Sequence, residues 1–141
     1  MNRLTRLTLY FTCTLLALAC GGKKEHAHET GSNTWEAMDA YHMIMAESYH
    51  PLKDSANLVP AKANAEELAA EAEKWSSSEI PERVKNEEMI AMLESIKNSS
   101  RAFADKVKAG ATDEELATAL TALHDEFHHI METWSGGHGD H

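Results

Sequence analysis

Cysteine is nearly missing from this sequence: the only two, Cys13 and Cys20, fall within the first twenty of its 141 residues. The rest of the chain has no thiol for a disulfide, a thiolate zinc site or a Cys-x-x-Cys-His attachment of covalent haem. Proline occurs three times, at positions 51, 60 and 81, and runs of β-branched residues are few, which together favour an all-α chain. Basic residues are in deficit, 13 against 23 acidic ones for a net charge of −10, a poor match for nucleic acid or an anionic membrane surface. There is no Gly-rich phosphate loop, no Ser/His/Asp constellation and no internal repeat. The single long apolar run, Leu7 to Ala19, is shorter than the roughly 20 residues of a stable membrane span.

That run has another reading. Arg3 and Arg6 form a basic n-region before it and a small residue, Ala19, ends it, so residues 1–19 read as a secretory signal. The stretch Leu16-Ala17-Leu18-Ala19-Cys20-Gly21-Gly22 resembles a bacterial lipoprotein cleavage site, with Ala17 standing where leucine is usual. The resemblance implies cleavage before Cys20, lipidation of Cys20, and a lipid-anchored place on the periplasmic or cell-surface side of a bacterial envelope. Loss of Arg3 and Arg6 takes the charge from −10 to −12. Residues 20–33 have no apolar period and read as a flexible tether carrying His26 and His28. Residues 135–141 form a His/Gly-rich tail with His138 and His141.

Between them, residues 34–134 carry four amphipathic segments. The first spans about Thr34 to Asp54, capped by Asn33 or Thr34. Its stripe is Trp35, Met38, His42, Met45 and Tyr49, and Pro51 bends or stops its end. The second spans about Pro60 to Trp75, with a seam of Ala61, Ala65, Leu68, Ala72 and Trp75. The third spans about Asn86 to Ala109, with Met89, Leu93, Ile96, Ser100, Phe103 and Val107 inward and Gly110 as its stop. The fourth spans Thr112 to Trp134. Thr112 and Glu115 make a capping box, and Leu116, Leu120, Leu123, Phe127, Ile130 and Trp134 line one face.

Short links between such segments predict an up-down-up-down four-helix bundle. The first and last helices then run antiparallel. Equal counting from Asp54 and Thr112 puts His42 level with His124, Met38 with His128 and Met45 with Thr121. His124 and His128, one turn apart, can reach one ion or cofactor. His50, about 12 Å further along the axis, is expected to stay out of reach unless the first helix breaks. Trp35, Trp75 and Trp134 are expected to close one end.

The whole helical region resembles the cytochrome c-prime and cytochrome b-type four-helix family. Where c-type members carry Cys-x-x-Cys-His, this chain reads Leu120-Thr121-Ala122-Leu123-His124-Asp125-Glu126-Phe127, with the histidine kept in register and both cysteines replaced by leucine. The resemblance therefore implies non-covalent haem b at most, with Met38 or Met45 and His124 as axial ligands. A looser likeness, to bacterial lipoproteins of unknown function, rests on Tyr41-His42, His50-Pro51 and Leu123 to His128.

Three readings follow. The first is a transition-metal binder, for copper, nickel or zinc, using His42, His124, His128, Met38 and Met45, with His50, His26, His28, His138 and His141 as secondary ligands. The second is a haem b electron carrier. The third is a structural or interaction lipoprotein with satisfied core histidines. An enzyme is not expected: Glu47-Ser48-Tyr49-His50 is one Glu-x-x-His match, and the fourth helix has no inward second copy of it. A homodimer is compatible with the sequence.

Overall fold

The computed structural model describes residues 34–136. The signal, the tether, Cys20, Asn33, His26, His28, His138 and His141 lie outside the described residues. Among those described there is no strand, and the chain forms four helices: α1 (Glu36–Ser55), α2 (Val59–Ser76), α3 (Glu87–Lys108) and α4 (Asp113–Gly136). A short 3₁₀ turn, Glu82–Val84, precedes α3 and tucks Val84 into the core.

Each helix starts and stops for local reasons. Asn86 caps α3 by accepting the Met89 N–H at 2.8 Å. The Thr112–Glu115 capping box forms as expected, with the Glu115 N–H donating to Thr112 Oγ1 and the Thr112 N–H to Glu115 Oε2. Gly110 takes a left-handed φ of 73° and lets the chain reverse into α4. The position before α1 is occupied by Trp35, which gives no side-chain cap. Pro51 does not end α1. It sits within the last turns, where one carbonyl partner fewer is tolerated, and the helix closes at Ala56 in the left-handed region (φ 52°).

Contacts between helix ends fix the topology. Trp35 at the start of α1 meets Trp75 at the end of α2 and Trp134 at the end of α4, both at 5.5 Å between ring centroids. Lys62 near the start of α2 pairs with Asp113 at the start of α4 at 2.6 Å, and Arg101 late in α3 pairs with Glu66 early in α2 at 2.8 Å. Neighbouring helices are therefore antiparallel, as an up-down-up-down bundle requires. The three tryptophans close one end, and Arg83 from the 3₁₀ turn caps them by stacking 3.2 Å from the Trp134 ring centroid.

The interior follows the apolar periods. All six expected residues of α4 are buried, as are all five of α2. Burying each large apolar side chain is worth about 1.5–3 kcal/mol relative to exposing it. On α3, Met89, Leu93, Ile96, Ser100 and Phe103 are buried and Val107 is half-buried. On α1 Trp35, Met38 and Met45 are buried as expected, but Tyr41 and Ser48 take the inward places expected for His42 and Tyr49, and His42 is exposed. Tyr41 donates to or accepts from Ser100 Oγ at 3.0 Å across the core. Burial pushes its phenol well above the usual tyrosine range, so it stays neutral. The indole N–H groups of Trp35 and Trp75 find no oxygen or nitrogen acceptor, and neighbouring ring faces are the acceptors left to them.

Candidate functional site

Of the four seams between neighbouring helices, the one joining α1 and α4 is the most sparsely packed. Along it runs a groove of about 460 Å³. Four imidazoles line it, His42 and His50 from α1 and His124 and His128 from α4, together with Met45, Tyr49, Lys53, Phe127 and Met131.

The α4 pair is already assembled. His124 and His128 lie one turn apart, both half-buried, and their Nε2 atoms are 3.1 Å apart. Tyr49 stacks on the other face of the His124 ring, with centroids 3.7 Å apart and planes 16° from parallel. His124 Nδ1 is buried and lacks a hydrogen-bond partner; Asp125 Oδ1 stands 3.6 Å away, beyond a hydrogen bond but close enough to orient the ring. Burial holds the His124 imidazole below its ordinary pKa. The charge on neighbouring His128 pushes the same way, and Asp125 opposes both.

The α1 partners are less committed. His42 is not an inward group: it is exposed on the groove rim and stacks on Phe127 with ring centroids 5.1 Å apart. Tyr41 takes the inward position because its ring buries more apolar area and its hydroxyl finds Ser100, whereas a buried imidazole there would need a partner of its own. His42 is level with Phe127 rather than with His124, a shift of about one turn from equal counting. Counting from the helix ends assumed that those ends share a plane; the Trp35–Trp134 contact sets the register instead. The same shift brings His50 to the groove, where its charge reaches His124, contrary to the expectation that it would stay away.

The expected methionines divide. Met45 lines the groove from the core side, while Met38 is buried and does not line it. Beside Ala46 and the core residue Phe127, three side chains line the groove that the sequence does not mark as site residues. Tyr49 was assigned to the core stripe, although it packs on His124. Lys53 was passed over. Met131, three residues after His128 and four after Phe127, was recoverable from helical spacing alone. Among the described residues, no three His, Cys, Asp or Glu side chains converge as a ready metal group.

The fold and groove define an all-α four-helix bundle with an imidazole-lined seam between its first and last helices. No protein family model, curated protein or solved structure matches the chain.

Proposed function

We propose that this protein binds a transition-metal ion, copper, nickel or zinc, in the α1/α4 groove, and that it does so as a lipid-anchored protein of the bacterial envelope. The observation that carries the reading is the 3.1 Å separation of His124 and His128 Nε2. With metal–nitrogen bonds of about 2.05 Å, that spacing subtends roughly 100° at one ion, between the square and tetrahedral angles. The separation therefore suits side-by-side binding once the hydrogen bond between the two nitrogens gives way. Asp125 behind His124 Nδ1 matches the carboxylate that commonly orients a metal-bound imidazole. His42 and His50 offer further donors from α1, and Met45 a thioether.

Haem b has less support. Tyr41, Trp75 and Phe127 fill the space between helices, with ring centroids 5.3 to 6.1 Å apart, where a porphyrin would need a flat slot. Elemental analysis of protein purified without a His tag tests the metal reading. About one equivalent of copper, nickel or zinc, lost in His124→Ala and His128→Ala but kept in the exposed His129→Ala, supports it. A sharp Soret band on adding haemin, with no metal retained, replaces it by the cytochrome reading. Retention of neither leaves a structural bundle whose histidines bond each other.

The envelope assignment rests on the sequence before the bundle. Among the described residues no helix is long and apolar enough to cross a membrane. Cys20→Ser should release the protein from the membrane fraction with its helical circular dichroism unchanged, since acyl chains and not the bundle would hold it there. A membrane-bound variant would refute the anchor.

A further inference from the structure

The groove carries more than imidazoles. Met45 and Met131 line it alongside His124 and His128, so two thioethers share the space with the preassembled nitrogen pair. No carboxylate lines it: Asp125 stands behind His124, on the Nδ1 side, and is itself exposed. The charged side chain that does line it is Lys53, a cation.

We infer that the ion held in this groove is monovalent copper, bound by His124 and His128 with thioether from Met45 or Met131. The inference rests on the proposed metal-binding reading and narrows it.

Three features point the same way. Thioether sulfur is a soft, neutral donor that favours copper(I) and adds little for zinc or nickel. A divalent ion prefers anionic ligands that offset its charge, and here it would meet neutral donors and a lysine. Coulomb repulsion scales with the product of charges, so a monovalent ion halves that cost. Copper(I) is also content with two or three donors. A structural zinc site needs four, and no third His, Cys, Asp or Glu converges among the described residues. Met45 lines the groove while almost wholly buried, so a thioether offered from there would face little competition from water.

The test compares metals and donors in one chain. Full-length protein carrying Cys13→Ser and Cys20→Ser, which removes both thiols, is titrated anaerobically with copper(I) against bicinchoninate. In parallel it is titrated with zinc against a zinc-responsive dye. Met131→Leu and Met45→Leu conserve volume, and Met131 is only half-buried, so at least the first variant should fold. The variant that removes the bound thioether, Met131→Leu or Met45→Leu, should weaken copper(I) by about tenfold or more, and neither should move zinc by more than about twofold. His124→Ala should weaken both metals. X-ray absorption of the copper(I) form should show sulfur bound to the ion. Tighter zinc than copper(I) binding, or methionine variants that leave copper(I) affinity unchanged, would overturn the inference and leave the metal site standing. Binding of neither ion would overturn both.

Discussion

A ligand that binds the folded bundle and not the unfolded chain must raise its melting temperature, and the size of the rise follows from general quantities. At a free metal concentration of about 100 times Kd, mass action adds about 2.7 kcal/mol. For a domain of about 100 residues each kcal/mol moves Tm by roughly 4–8 °C, so the expected gain at pH 7.5 is about 10–20 °C. Protons should remove it. Two ligand imidazoles of ordinary pKa, about 6.5, lose close to a thousandfold in combined metal affinity at pH 5, which leaves almost no gain at the same metal concentration. The depressed pKa of His124 makes that loss smaller, because this ring stays neutral to a lower pH. The same shift affects the metal-free bundle. His124 takes up a proton more readily unfolded than folded, so stability falls as pH drops through about 6.5 toward the folded value and changes no further below it. Each gain must therefore be read against metal-free protein at the same pH, by circular dichroism or calorimetry. In His124→Ala/His128→Ala the gain should vanish, though every tether and tail histidine remains. A gain that survives in that variant would refute the groove as the site.

Tyr49→Ala should weaken metal binding by about tenfold through loss of the ring that orients His124, while Tyr49→Phe should keep it; equal effects would point to the phenol oxygen instead. Across the core, Ser100→Ala strands the Tyr41 hydroxyl and should cost about 1–3 kcal/mol in urea unfolding. Adding Tyr41→Phe should recover part of that, and a strictly additive cycle would show the 3.0 Å bond to be energetically idle. Ala56→Gly should stabilise the bundle by about 0.5–1 kcal/mol, because a non-glycine residue there holds a φ of 52°; a destabilised variant would mean that the lost alanine matters more than the relieved backbone.

Much of the fold was readable from the sequence, and what was not concerns the inward face of α1 and its register against α4. On α4 the six apolar residues recur at steps of four and three, and most flanking positions are charged, polar or alanine, which marks one face for burial. Alternating chain direction put the three tryptophans at one end, and there the structure pairs Trp35 with Trp75 and Trp134. On α1, Tyr41 and His42 are adjacent, and either continues the stripe from Met38 to Met45. Helical period cannot choose between them. The choice lies with Ser100, 59 positions away, which offers a hydroxyl to Tyr41 across the core. The axial register was equally out of reach, since it depends on where the tryptophans stack rather than on where helices begin. The His124–His128 pair needed only the i, i+4 rule. Met131, on the same helix, needed only that rule too, whereas Tyr49 and His50 on α1 needed the register as well.

The exchange of Tyr41 for His42 at the inward place of α1 also sets what lines the groove. With Tyr41 inward, His42 moves to the rim, and every groove imidazole sits on a single open seam instead of being divided between core and surface. The other helix pairs are joined by denser contact, as between α2 with its alanine face and α3 with Leu93, Ile96 and Phe103. The α1/α4 backbones approach each other less, with polar rings that water can reach between them, and Trp35 and Trp134 meet across the seam at one end. An ion taken by His124 and His128 alone would tie two turns of one helix and leave the seam as loose as before. An ion that also takes Met45, His42 or His50 from α1 would cross-link the seam. The α1/α4 amides would then exchange with solvent more slowly in the metal-bound protein, while those of the α2/α3 pair would change little. Hydrogen exchange thus separates a one-helix clip from an interhelical site, even where both give the same affinity.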